Sequence, residues 1–395
     1  MSLSGFAVAI IGAYIAFLPL LQILLPIKAA EIEPANATAV LGMVAASGAV
    51  VAGIANFVIG WLSDRTRSYF RGRRPWIIAG LFGIAASDAA IWQAHSLPAL
   101  LIAFGLFQLT FNMMFSPLLA LVSDRVTPAR RGLVSALIGL GHPVGAVVGT
   151  VVVGSLFVRE GDRFLALAAM VLIAILPFAI RLGADPATTT APPIERAADG
   201  AGRGLSGNFV LAWLSRACIV MTFTVSQLYL LFYLRAMIPQ APLLAVEHGV
   251  TLLAVVFGSV SAVSGIVAGR ISDRTGHRRP FVLGSALAIC VAMIALAVAP
   301  SWPLAIAAYA VFAAGAGTHT AVEFAMIVDI LPSRDRVARD LGILNLSNIV
   351  PQIIAPLAVT WIVTLPGATI QWAFGAASIA AATGAVLVAL MRAVR

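Results

Sequence analysis

Apolar residues recur in unbroken stretches of about 20 or more, the length an α-helix needs to cross roughly 30 Å of hydrocarbon. GFAVAIIGAYIAFLPLLQILLP, residues 5–26, is the first. Others run over 38–62, 75–94, 98–122, 132–156, 163–181, 208–234, 249–270, 279–299, 303–330, 341–363 and 369–391, twelve in all. They are apolar on every face, whereas barrel strands alternate over about 10 residues. A helix also satisfies its own backbone hydrogen bonds in lipid, which other segments cannot do. The expected fold class is an all-α integral membrane protein with 12 transmembrane helices. With 61% hydrophobic and 10% charged residues, the chain lies outside the range of soluble globular domains. The first stretch lacks a basic leader and a small-residue cleavage site, so it reads as a retained span. Cys218 and Cys290 fall inside spans and are expected to be unpaired.

The net charge of +9 is explained by where the arginines sit. Alternate loops and the C-terminal tail hold Arg65, Arg67, Arg71, Arg73 and Arg74; Arg125, Arg130 and Arg131; Arg181, Arg196 and Arg203; Arg270, Arg274, Arg278 and Arg279; Arg334, Arg336 and Arg339; and Arg392 and Arg395. The opposite loops hold only Lys28, Arg159, Arg163 and Arg235. This is the positive-inside bias, and it predicts a multi-pass protein of the inner (plasma) membrane with cytoplasmic N- and C-termini. A nucleic-acid surface would need these arginines gathered on one folded face with aromatic partners, so no nucleic-acid partner is expected.

The segment GADPATTTAPPIERAADGAGRGLSG, residues 183–207, cannot bury a core and reads as a cytoplasmic linker. It separates an N-terminal six-helix half, 1–182, from a C-terminal six-helix half, 208–395. The halves carry the same charged hairpin. GWLSDRTRSYFRGRRP at 60–75 returns as GRISDRTGHRRP at 269–280, with Asp64 and Asp273 209 residues apart and Arg73 and Arg278 205 apart. Asp124 and Asp329 close the fourth and tenth spans with the latter offset.

Two homologous six-helix halves about an axis normal to the membrane resemble the major facilitator superfamily, whose solute site lies at the midplane between the halves. The G-x-x-S-D-R to G-R-R-P loop is similar to the signature loop of that superfamily. In detail it is closest to the sucrose/proton symporters and the glycoside-pentoside-hexuronide cation symporters. SPLLALVSD at 116–124 and LGILNLSNIVPQIIAP at 341–356 resemble fourth-span and eleventh-span motifs of the same branch. The seventh span departs from it. TVSQLYLLFYL stands where sucrose carriers have an aspartate-rich motif, and the hairpin lacks one of three consecutive arginines.

The resemblance implies a proton-coupled secondary active transporter that moves a small polar solute, sugar or glycoside-like, by alternating access. In that family the hairpins act as a cytoplasmic gate. Here this assigns Asp64, Arg65, Arg73 and Arg74, and Asp273, Arg274, Arg278, Arg279 and Asp329. Asp124 has two open readings, a gate residue beside Arg125 or a coupling carboxylate. Spans one, four, seven and ten line the cavity in the superfamily fold.

Charges within spans are costly, so each is a functional hypothesis. They are Asp88, Arg216, Glu323 and Asp329, with His142 and His319 as titratable additions. Arg216 and Glu323 lie about eight residues from the same ends of spans seven and ten. At 1.5 Å per residue both sit some 11 to 12 Å deep and are expected to pair. His319 is four residues before Glu323, on the same helix face. Proton coupling is therefore assigned to Glu323, His319 and Arg216, with Asp124 as competitor; the other reading of the pair is a static link between two spans. Asp88 has no evident partner. Uncharged cavity candidates for solute binding are Tyr14, Gln22, Gln108, Asn112, Gln227, Tyr229 and Thr320, whose amides and hydroxyls suit a polyol. Such groups also bind membrane helices to one another.

The rival transport reading is a proton-driven antiporter exporting an amphipathic metabolite or drug. Gly132, Gly141, Gly145 and Gly149 with Pro143 partly match the glycine-rich antiporter motif, although the proline is displaced. An enzyme is not expected, because no H-E-x-x-H, G-x-S-x-G with a distant His, P-loop or Cys/His cluster occurs. No cofactor and no metal site are expected. The expected partners are the solute, protons, with sodium as the alternative coupling ion, and the lipid bilayer, around a monomer.

Overall fold

A computed structural model describes residues 2–66, 69, 72–127, 131–183, 207–237, 243–299, 301–329 and 337–391. Within these helices the side chains of 123, 131–133, 135, 136, 243–245, 324, 328, 329 and 337–342 lie outside the description. The linker residues 184–206, and Arg67, Arg71, Arg130, Arg196, Arg203, Arg334, Arg336, Arg392 and Arg395, also fall outside it.

Among the described residues, twelve helices are long and apolar enough to span a membrane. They are α1 (Leu3–Ile32), α2 (Ala37–Arg65), α3 (Arg74–Trp92), α4 (Leu97–Arg125), α5 (Arg131–Val151, continued by a π turn, Val152–Leu156) and α6 (Glu160–Arg181). The second half has α7 (Gly207–Leu228), α8 (Leu243–Thr275), α9 (Arg279–Val298), α10 (Trp302–Asp329), α11 (Val337–Val363) and α12 (Ile370–Leu390). No strand occurs among the described residues.

Several helices outrun their apolar stretches, and the reason is pairing of charge. α1 continues to Ile32 because Lys28, fully buried, is held by Glu31 at 2.9 Å and Glu160 at 3.0 Å. α6 begins at Glu160, which places Arg163 in its first turn and not in a loop, and Glu160 and Asp162 favour that start through the helix dipole. α8 reaches back past Glu247, which lies against Arg163.

Besides α5 with its π turn, two helices break regularity near the far end, the end opposite the arginine-rich loops. α1 carries a π turn at Leu20–Leu24, directly after Pro19. α7 stops at Leu228 and resumes, beyond Tyr229, as a short helix Leu230–Met237.

Packing divides the chain into two compact units. The first comprises 1–185 with 227–258 and 359–361, and the second comprises 186–226, 259–358 and 362–395. In the first, α1 is the central helix, with Phe6, Ala9, Ile10, Ala13, Ala16 and Leu20 fully buried. Glycines let α5 approach it: a Cβ on Gly145 would lie 2.6 Å from the Cβ of Tyr14 and 3.0 Å from the Ile11 carbonyl. Gly141 and Gly149 meet Ile10 and Pro19 likewise, which makes the glycine pattern of α5 a helix contact. The second unit holds a core at the arginine-rich helix ends, built from Phe209, Ala212, Ala268, Val282, Val322, Met326, Leu344 and Val388. Outward-facing residues are apolar; Phe57, Ile173 and Ile379 are among many large side chains left exposed, as hydrocarbon surroundings require. Cys218 and Cys290 are free.

Candidate transport site and helix-end ties

One buried charge pair lies in the second unit. Arg216 of α7 donates from Nη1 to Glu323 Oε2 of α10, and its Nε reaches Asn348 Oδ1 of α11 at 3.3 Å. The Glu323 side chain is 4% exposed and that of Arg216 21%. Glu323 Oε1 is buried with no hydrogen-bond partner. The matched depth of two isolated charges thus brings them together, and Asn348 is part of the group.

His319 is buried one turn before Glu323, but its hydrogen bond goes elsewhere. Nδ1 meets Ser285 Oγ of α9 at 3.2 Å, and Nε2 is buried without a partner. The i, i+4 spacing puts the imidazole and the carboxylate on one helix face, yet the approach of α9 decides what the ring bonds to. Gly315 permits that approach, since a Cβ there would lie 3.0 Å from the Ser285 carbonyl.

Six of the seven solute-binding candidates fall in the first unit. Gln22, inside the π turn of α1, donates to Gln227 Oε1 at 2.6 Å, beside the break in α7. Gln22 is 2% exposed and its own Oε1 has no partner. Tyr14 packs edge-on against Phe115 and against His142, with centroids 5.9 and 5.3 Å away. Asn112 accepts from Asn56 Nδ2 of α2 at 3.3 Å and donates to the Gln108 carbonyl at 2.8 Å, so it joins α2 to α4. Gln108 is buried beside Gly48. Tyr229 is fully buried at the break in α7 and bonds Thr360. Thr320, in the second unit, is exposed.

The charged hairpin of the first half is a tie centred on Arg73. Gly72, at φ 137°, turns the chain in a region that favours glycine, and Arg73 follows as the cap of α3. Its guanidinium donates to Asp124 Oδ2 at 2.7 Å, to Ser63 Oγ at 2.9 Å and to Asp64 Oδ1 at 2.6 Å, which joins the ends of α2, α3 and α4. Burial alone would lower its pKa, but the bonds and charges of Asp124 and Asp64 outweigh this and hold it above its ordinary value. Arg65 and Arg74 are exposed, and Arg65 lies over the Trp61 ring at 5.3 Å. Arg125 donates to the Gly183 carbonyl at 2.6 Å, beyond the end of α6.

The second hairpin makes a related tie with different acceptors. Arg278, before α9, donates to the Ala325 carbonyl of α10 at 2.6 Å. Arg279 reaches the carbonyls of Val388 and Ala389 in the last turn of α12, at 3.2 and 2.5 Å, where cations stabilise a helix end. Asp273 and Arg274 are exposed. The side chain of Asp329, and those of Arg131 and Arg339, lie outside the described residues. Asp88 is 1% exposed on α3, with both carboxylate oxygens buried and unpartnered.

Sequence reasoning passed over one further pair. Arg163 of α6 meets Glu247 of α8 through two bonds, of 2.8 and 2.5 Å, with side chains 7% and 1% exposed. Both residues sit at the edges of apolar stretches, where hydropathy marks a loop, and a pairing 84 positions apart leaves no local trace.

Twelve helices able to span a membrane among the described residues, with few charges within them and those largely paired, are the architecture of a membrane transporter. The family model of the Major Facilitator Superfamily matches residues 2–241 and 228–395, and the chain belongs to that superfamily. Among solved structures it is similar to a bacterial homolog of the human lysosomal transporter Spinster. The inward-facing, occupied form aligns with a TM-score of 0.74 at 13% identity, covering 98% of this chain and 95% of that one. The inward-facing, unoccupied form gives 0.69 at 13% identity, covering 98% and 93%. At that identity the likeness is one of fold. No curated protein matches the sequence.

Proposed function

We propose that the chain is a proton-coupled secondary active transporter that carries a small polar solute of sugar or glycoside type by alternating access. The observation that supports this most is the Arg216–Glu323 pair: a guanidinium and a carboxylate deep in adjacent helices, with one carboxylate oxygen unpartnered. A proton arriving at that oxygen neutralises the carboxylate and frees Arg216 Nη1 to bind a solute hydroxyl while Nε stays on Asn348. Coupling follows because a buried charge left alone is unfavourable, so the proton and the rearranged guanidinium move together. His319, fixed by Ser285, and Asn348 are positioning residues in this scheme. Asp124, held by Arg73, serves as part of the gate.

In this reading the halves 1–182 and 208–395 rock about the site, joined by the 183–207 linker. The arginine-rich ends face the cytoplasm of a plasma membrane, with both termini there, and the ties of Arg73, Arg278 and Arg279 brace the halves from within. Gln22, Gln227 and Tyr14 supply amides and a hydroxyl for solute hydroxyls, which fits the likeness to the glycoside-carrier branch. The carrier works as a monomer.

Export of an amphipathic compound by proton antiport is the second reading. A row of rings favours it: Phe17, Phe107, Phe111 and Phe115 lie with successive centroids 5.2 to 6.4 Å apart, continued by Tyr14 and His142. Purified protein in proteoliposomes separates the two, with a panel of disaccharides, hexosides and amphipathic compounds and a proton or sodium gradient applied. Gradient-driven accumulation of a glycoside is the expected result. Movement of an amphipathic compound against the proton flow instead establishes export, and accumulation driven by sodium alone replaces the proton.

A further inference from the structure

The outward side of α8 changes character near its arginine-rich end. Val263, Ile266, Val267 and Ile271 are 45% to 64% exposed, and Arg270 and Arg274 are exposed among them. With 3.6 residues per turn these positions share one side of the helix. The opposite side is the packed one: a Cβ on Gly265 would lie 3.0 Å from the Gly317 carbonyl of α10, and one on Gly269 3.9 Å from the Ala321 Cβ. The stripe therefore meets hydrocarbon along its apolar length and the headgroup layer at its end.

Arg270 is the unusual member. It precedes the end of α8 at Thr275 by about 7.5 Å along the axis, whereas Arg274 is an ordinary cation of the last turn. A guanidinium on a lipid-facing side is costly unless it extends along the helix toward the phosphates. Arg274 stands one turn further in that direction, with roughly 6 Å between the two Cβ atoms, so both forks reach one level. Among the described residues neither arginine pairs with a carboxylate, the exposed Asp273 included.

The first half supplies a comparison. At the offset of Asp64 and Asp273, residues Ile54, Phe57, Val58 and Arg65 of α2 correspond to Val263, Ile266, Val267 and Arg274, and they are exposed likewise. Trp61, however, stands in the place of Arg270, and Arg65 lies over its ring at 5.3 Å, so its charge is occupied within its own helix. The apolar stripe is common to both halves, and the paired cations belong to the second alone. Hydrocarbon is enough to cover the stripe. Two unpaired guanidiniums also call for an anion with several acceptor oxygens, and a phosphate that carries acyl chains supplies both.

We propose that Arg270 and Arg274 form a binding site for one anionic phospholipid, with its phosphate between the two guanidiniums and an acyl chain along Val263, Ile266, Val267 and Ile271. The site does not depend on the transport reading. Its test is native mass spectrometry of the full chain in detergent, titrated with phosphatidylglycerol or with phosphatidylcholine of the same acyl chains. Phosphatidylglycerol should bind about tenfold or more tightly than phosphatidylcholine. Arg270→Gln and Arg274→Gln should each weaken it about fivefold, the equivalent of about 1 kcal/mol per arginine, and the double variant about 25-fold. Arg65→Gln should leave it unchanged, and Trp61→Arg should add a second tight lipid by giving α2 the pair that α8 has.

Gel filtration checks that each variant is monodisperse, and Arg270→Ala replaces Arg270→Gln if the latter does not fold. Equal affinity for the two lipids, a double variant that binds like the parent, or an equal loss in Arg65→Gln overturns the site. So does a Trp61→Arg protein that takes up no second lipid. Displacement of the lipid by inorganic phosphate would assign the arginines to a soluble anion, and a dimer that the double variant dissolves would assign the stripe to a second copy; either result overturns the proposal.

Discussion

Replacing Arg73 by alanine should destabilise the protein far more than removing its most visible partner, Asp64. The guanidinium has three acceptors of unequal surroundings. The Asp64 side chain is 67% exposed, so its bond is screened by water and contributes about 0 to 1 kcal/mol. The Asp124 side chain is 9% exposed, and removing one member of a buried pair costs about 3 to 5 kcal/mol. Ser63 is fully buried, and its bond to a charged donor overlaps with that cost instead of adding to it. The expected deficits are thus about 3 to 5 kcal/mol for Arg73→Ala and at most about 1 kcal/mol for Asp64→Ala. Arg73→Lys should fall between, since an ammonium keeps the charge but not the three directions.

Thermal unfolding in detergent reads the ordering, with about 4 °C or more lost for Arg73→Ala. A cation whose pKa rises on folding adds stability below its ordinary value and loses it only above, so the deficit should be flat across neutral pH. Equal losses for Arg73→Ala and Asp64→Ala, or none for Arg73→Ala, would refute the reasoning.

Three further outcomes follow from burial and contact. Gly145→Ala forces a Cβ against Tyr14 and Ile11 and should cost about 1 to 3 kcal/mol by thermal melting, whereas Gly139→Ala, with open space around it, should cost almost nothing. Lys28→Met leaves Glu160 without its cation at the joint of α1 and α6 and should lower the melting temperature, while Lys28→Arg retains most of it. Asp88→Asn should leave the melting temperature unchanged or higher, because no donor in the described structure meets either carboxylate oxygen; a large loss would reveal a partner bound to the charge.

The twelve spans were legible because hydrocarbon thickness sets a length that shows directly in the chain. Their ends were less so. Lys28, Arg163 and Glu247 terminate apolar stretches in the sequence but lie inside helices, each neutralised by a residue that only the fold brings near. The Arg216–Glu323 pair was legible for a related reason: two lone charges at equal depth have few other ways to be satisfied. The bond from His319 to Ser285 was not, since it depends on how closely α9 approaches α10. Asp124 sits in sequence among Arg125, Arg130 and Arg131, yet its strongest described partner is Arg73, 51 positions earlier. The break at Tyr229 has no glycine or proline beside it, and so no local signal announced it.

The central claim is that protonation of Glu323 links solute movement to the proton gradient. Its most direct test is Glu323→Gln in proteoliposomes, with uphill uptake and solute exchange measured on one preparation. The account predicts that exchange persists while gradient-driven accumulation disappears. Accumulation that survives the substitution would contradict it and leave the Arg216–Glu323 pair a structural link between α7 and α10.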